Sequence, residues 1–111
     1  MKNRNAVQQA LDWNAENKQM PALNVPDKYT ATYMYQLPVI CFGQKPGTLP
    51  DNFTYTEKDN WGIISITSNH EFTSDEINIQ QNVLDRHGLN SISKLRLVKQ
   101  TFSLIKDIKK G

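Results

Sequence analysis

The segment Tyr29-Thr30-Ala31-Thr32-Tyr33-Met34-Tyr35-Gln36 sets Tyr, Ala, Tyr and Tyr at its odd positions against Thr, Thr, Met and Gln at the even ones. A period of two marks a β-strand with one buried face, because successive side chains leave a strand on opposite sides. The even side is largely polar, which makes the tyrosine side the core side. Aromatic strands also serve as stacking platforms for nucleic-acid bases, but packing is the simpler assignment for Tyr29, Tyr33 and Tyr35. Pro38 lacks an N–H and is expected to interrupt the ladder, leaving residues 39–42 as a second short strand or a bulged continuation.

Upstream, residues 3–18 read as a helix. Val7, Ala10, Leu11 and Asn14 form one stripe, with Ala6 and Trp13 beside it and Pro21 beyond the end. Residues 21–26 are a connector. Downstream, residues 43–52 carry three turn-type pairs, Gly43-Gln44, Pro46-Gly47 and Pro50-Asp51, and read as a loop. Residues 53–56 and 61–67 then form a hairpin, its second arm rich in β-branched Ile63, Ile64 and Ile66. Thr73-Ser74-Asp75-Glu76 is a capping box, with Phe72 and Ile77 spaced as a hydrophobic staple, so a helix starts there. It is expected to close at Gly88, which can take the left-handed conformation that ends a helix.

Asn90 or Ser91 is expected to cap a last helix running to about residue 108. At 100° per residue, Leu95, Leu97, Val98, Phe102, Leu104, Ile105 and Ile108 cover half of its circumference. Arg96, Lys99, Gln100, Ser103, Lys106, Asp107 and Lys110 share the other half. The expected fold is therefore α+β: an antiparallel sheet of three or four strands, with an N-terminal helix and two C-terminal helices packed on one face of it. A chain of 111 residues has the usual size of one domain, residues 1–111.

Charge is segregated along the chain. Residues 86–111 hold seven Lys/Arg and one acid, whereas residues 1–85 hold six bases and ten acids. The overall net charge of +2 is too small to imply nucleic-acid or membrane affinity by itself. The basic ridge of Arg96, Lys99, Ser103, Lys106 and Lys110 is the candidate macromolecule-binding surface, for phosphates or for an acidic protein. A helix-turn-helix does not fit. With Gly88 as the turn glycine, Leu84 stands where a small residue is needed and Lys94 where an apolar one is needed.

Cys41 is the sole cysteine, which excludes an intrachain disulfide and a cysteine-based zinc site. Between Ile40 and Phe42 it reads as a core thiol. Gln8 and Gln9 break the apolar run that a signal peptide would need. The longest apolar run, residues 39–42, is far short of the roughly 20 residues of a membrane helix. The expectation is a cytoplasmic protein without membrane association, and the Asn and Ile usage suggests an AT-rich bacterial or phage gene.

His70, Glu71, Asp75 and Glu76 form the one cluster suited to acid–base or metal chemistry, at a strand-to-helix junction. Glu76 is claimed by the capping box and Asp75 by the helix dipole, and a single His lacks zinc-site spacing. His87 is expected to meet terminal helix carbonyls. The loop at residues 43–47 lacks the glycine spacing and the Lys-Ser/Thr of a phosphate cradle. No catalytic, cofactor or metal site is expected. The leading expectation is a small non-enzymatic protein that docks a protein target, of inhibitor, immunity or adaptor type. A nucleic-acid binder using the basic C-terminal helix is the alternative, and a small hydrolase or nuclease around His70 is the third.

Overall fold

The depth of the sheet follows the sequence of its longest strand. A computed structural model describes residues 6–40, 49, 52–58, 61–87, 89–91 and 93–105. In chain order these form α1 (Ala6–Glu16), β1 (Tyr29–Ile40), β2 (Phe53–Glu57), β3 (Trp61–Ser68), α2 (Ser74–Arg86), β4 (Asn90–Ser91) and β5 (Arg96–Leu104). β2 and β3 make the expected hairpin, with Phe53 opposite Ile66 and Tyr55 opposite Ile64. β3 pairs antiparallel with β1 from Tyr33↔Ser68 to Ile40↔Trp61. The other edge of β1 is shared: β5 pairs with Tyr29 to Gln36, and the two-residue β4 pairs with Val39 and Ile40.

Pro38 does not interrupt β1, which runs unbroken to Ile40 and pairs Pro38 with Ile63. On its other edge, the neighbouring lane passes from β5 to β4 there, and Leu37 and Pro38 have no strand partner on that side among the described residues. A residue without an N–H is tolerated at such a gap.

The expectation of two C-terminal helices is overturned: only α2 forms, and residues 96–104 are β5. The reason lies in a β-bulge. Leu97 stands opposite Tyr35 and Lys99 opposite Met34, so Val98 is an extra residue between two register positions. Leu95 and Leu97 before the bulge, with Phe102 after it, all reach the core. The inserted residue breaks strict alternation and spreads the apolar positions until they imitate a helical face. Tertiary context then decides, because β1 needs a hydrogen-bonding partner along its second edge and β5 provides one over Tyr29 to Gln36.

The helices also lie on both faces of the sheet rather than on one. The main core gathers Tyr33, Tyr35, Leu37, Ile64, Ile66 and Leu97 under Leu84 of α2. On the opposite face Ala10 of α1 packs with Ile40, Trp61 and Ile63, flanked by Ala6 and Trp13. Trp61 Nε1 donates to Gln9 Oε1 at 3.0 Å. The buried stripe of α1 is thus Ala6, Ala10 and Trp13; the expected Val7 and Leu11 are exposed. Small residues on this stripe let the helix approach the sheet. A close approach of another kind fixes Gly62, where a Cβ would lie 2.3 Å from the Tyr55 ring.

α2 begins with the capping box expected from the sequence: Glu76 N donates to Thr73 Oγ1 at 3.1 Å, and Thr73 N donates to Glu76 Oε1 at 2.9 Å. His87 caps its C-terminus through its backbone N–H to Leu84 O, and Leu89 N also donates to Leu84 O. Cys41 and the expected helix-closing Gly88 lie outside the described residues. The connector after α1 rounds the outer edge of β5, where Met20 N donates to Leu97 O, and Met20 and Ala22 pack on the main core. That backbone bond partly covers an otherwise open sheet edge.

Candidate functional site

Of the expected basic ridge, Arg96, Lys99 and Ser103 lie on β5, opposite Gln36, Met34 and Thr30 respectively. Lys106 and Lys110 fall outside the described residues. Arg96 is committed internally. Its Nη1 donates to Asn14 O and to Asn17 O, each at 3.1 Å. Both carbonyls sit at the C-terminal end of α1, where backbone acceptors lack intrahelical partners and carry partial negative charge. Arg96 Nε is buried with no partner among the described residues. Arg96 is therefore a buckle fastening α1 to the sheet, and Lys99 and Ser103 remain as the exposed members of the set. Sequence spacing could not reveal Asn14 and Asn17 as its acceptors, because they lie about 80 residues away in the chain.

The structure does bring His70 and Glu76 together. His70 Nε2 lies 2.7 Å from Glu76 Oε2, while its Nδ1 lies 3.1 Å from Asn69 Oδ1 and 3.2 Å from Ser68 Oγ. Glu76 is held below the usual carboxylate range, first by the Thr73 backbone N–H and then by the hydrogen bond with His70. Phe72 braces the loop. It stacks on Tyr35 at a ring distance of 4.5 Å, and its N–H donates to the Tyr35 hydroxyl at 2.8 Å. Burial pushes that hydroxyl's pKa up. His70 meets the edge of Phe72 at 5.6 Å.

Ser68, His70 and Glu76 superficially resemble a nucleophile, base and orienting acid. The Ser68 hydroxyl is otherwise engaged, donating to His70 O at 2.8 Å and accepting from His70 N at 3.1 Å. Its proton is directed at a carbonyl rather than at the imidazole, so Ser68 is not set up as a nucleophile for this base. Glu71 and Asp75 do not join the pair, and among the described residues no group of three His, Cys, Asp or Glu is placed to hold a metal ion. The His70–Glu76 pair closes one side of an open cleft of about 510 Å³. Thr32, Asn52, Thr67 and Gln80 line the rest of it around an apolar floor of Ile66 and Phe72.

A second feature lies at the same end of the sheet, and sequence reasoning missed it. Leu23, Val25, Tyr29, Leu104 and Ile105 are exposed. Tyr29 and Leu104 are cross-strand partners. Ile105 N donates to Lys28 O at 2.7 Å, and Tyr29 N donates to Pro26 O at 3.1 Å. The Gln100 carboxamide holds Leu23 in place, accepting from its N at 2.7 Å and donating to its O at 2.9 Å. Five of the eight exposed large apolar residues among those described thus gather on one margin, where the connector, β1 and β5 meet. The reading of residues 91–108 as a helix hid this margin, because it placed Leu104 and Ile105 on a buried face.

No helix of the described residues is long and apolar enough to cross a membrane. No family model matches the chain, no curated protein matches its sequence, and no solved structure matches its fold.

Proposed function

We propose that this chain is a small non-enzymatic binding protein of the cytoplasm, of bacterial or phage origin, which docks a protein target as an inhibitor, immunity or adaptor protein does. The observation that carries the reading is the apolar margin of Leu23, Val25, Tyr29, Leu104 and Ile105. Exposed apolar side chains gathered at one place mark interaction surfaces, whereas scattered ones need no explanation. Lys28 beside Tyr29 gives this end a cationic group that suits an acidic rim on the partner. The nucleic-acid alternative has less support, since Arg96 is spent on α1 and Lys99 is the remaining described cation of the proposed set. The hydrolase or nuclease alternative around His70 has less support still, since among the described residues no further acid joins the His70–Glu76 pair to hold a metal ion.

The test is affinity capture from native cells with wild type and with Leu104→Asp, alongside anisotropy with labelled random DNA and RNA at two salt concentrations. Wild type is expected to retain one partner in stoichiometric amount, and Leu104→Asp to lose it while folding normally. Nucleic acid is expected to show no tight, salt-sensitive binding. Strong binding that fades with salt and disappears in Lys99→Glu would overturn the reading in favour of nucleic acid.

A further inference from the structure

The cleft beside His70 is separate in chemistry from the apolar margin, and its unspent groups specify a ligand. The carboxamides of Asn52 and Gln80 and the hydroxyls of Thr32 and Thr67 line it, and none of the four has a side-chain hydrogen bond with another described residue. They come from distant parts of the chain: β1, the approach to β2, β3 and α2. We propose that this cleft binds a neutral, hydroxyl-rich ligand, a sugar or the sugar portion of a larger molecule.

The electrostatics argue for a neutral ligand. Glu76 contributes a carboxylate that would oppose an anion. Toward a cation the same carboxylate is already partly satisfied, with Oε1 accepting from the Thr73 N–H and Oε2 2.7 Å from His70 Nε2. What remains for a ligand is donors and acceptors without net charge. A carboxamide both donates and accepts, as does a hydroxyl. Vicinal hydroxyls on a sugar offer the same mixture of donors and acceptors. Phe72, half-buried in the lining above the buried Ile66, provides apolar surface for the C–H face of a pyranose. The volume of about 510 Å³ lies within the range of small-molecule sites.

The floor is also preorganised. Phe72 is fixed by stacking on Tyr35 and by its backbone bond to the Tyr35 hydroxyl, and His70 is pinned by Glu76 at one ring nitrogen. A site whose walls are already set loses less free energy to ordering when the ligand arrives.

The experiment is a titration of the ¹⁵N-labelled full chain, followed by amide shifts, with glucose, galactose, mannose, N-acetylglucosamine, maltose and cellobiose. Sodium phosphate and choline chloride serve as charged counterparts. At least one sugar is expected to give saturable shifts at Thr67, Asn69, His70 and Gln80, with affinity in the millimolar range or tighter. The Asn52→Ala/Gln80→Ala double variant should weaken it by about tenfold or more, and Leu104→Asp should leave it unchanged. Thr67→Val, at an exposed position that keeps the strand's shape, is a milder second variant should the double one unfold. The proposal is overturned if no sugar saturates, if phosphate or choline gives the saturable shifts instead, or if sugar binding survives the variants. Because Leu104→Asp reports on the apolar margin alone, failure of the docking reading and failure of this one are distinguishable.

Discussion

The two ends of β1 are built on different principles. From Leu37 to Ile40 every residue is buried, with α2 and the main core on one side and α1 with Trp61 on the other. From Tyr29 to Gln36 the burial largely alternates, and the side bearing Thr30 and Thr32 is exposed. A strand that changes from alternating to continuous apolar sequence marks the point where a second layer begins to cover its outer face. The division also sorts roles. The described residues of the closed end are committed to packing. The cleft and the apolar margin both lie at the alternating end, where one layer is missing and side chains remain free for a partner.

The sharpest way to break that contrast is to truncate one residue at each end. Leu37 is fully buried, so Leu37→Ala removes core contacts and leaves a cavity. A loss of about 3 kcal/mol is expected in urea denaturation. Thr32→Ala at the exposed end should change stability by less than about 0.5 kcal/mol. Similar losses at the two positions would mean that the alternating end is as tightly packed as the closed one, and the distinction would fall.

Arg96 tests how the closed end is held shut. Arg96→Met keeps the aliphatic stem and removes both bonds to the Asn14 and Asn17 carbonyls. A destabilisation of about 1–2 kcal/mol is expected, with hydrogen exchange accelerating most in α1. If exchange in α1 is unchanged, the guanidinium does not fasten the helix, and the residue returns to the set of cations available to a partner.

The same comparison explains which parts of the fold were legible in the sequence. The alternation of residues 29–36, the Ile-rich arm of the hairpin and the Thr73–Glu76 capping box are local signals, each complete within a few residues, and the structure bears them out except at Tyr29, which was expected on the core side and is exposed because it stands at the uncovered end of the strand. β5 was not legible because its signal is not local. One extra residue, Val98, destroys the period of two, and what makes the segment a strand is the open edge of β1, some 65 residues away in sequence. The site shows the same division. His70 and Glu76 were recognisable as neighbours because they stand only six positions apart in sequence. The bonds of Arg96 to α1 could not be read from the sequence because its acceptors are distant. Asn52, Gln80, Thr32 and Thr67 escaped notice because neutral side chains carry no motif until a fold brings them together.

The smallest expected effect concerns the junction between the two ends, where Glu76 serves both the α2 cap and the cleft wall. Its carboxyl is held below its ordinary range in the folded protein, chiefly by the Thr73 N–H and next by His70. In the unfolded chain that restraint is gone. The unfolded state therefore takes up a proton at higher pH than the folded state, and the stabilisation from the ionised form is present above the unfolded pKa. It is lost as pH falls through the depressed folded value. Glu76→Gln retains an oxygen to accept from either Thr73 N or His70 Nε2 but cannot ionise. Urea midpoints measured from neutral pH down to pH about 3 should fall less steeply for the variant than for wild type, the two curves converging at the acid end. Parallel curves would mean that the charge of Glu76 contributes nothing to the cap. The pairing with His70 would then belong to the cleft alone, and the alternating end would be independent of the helix that borders it.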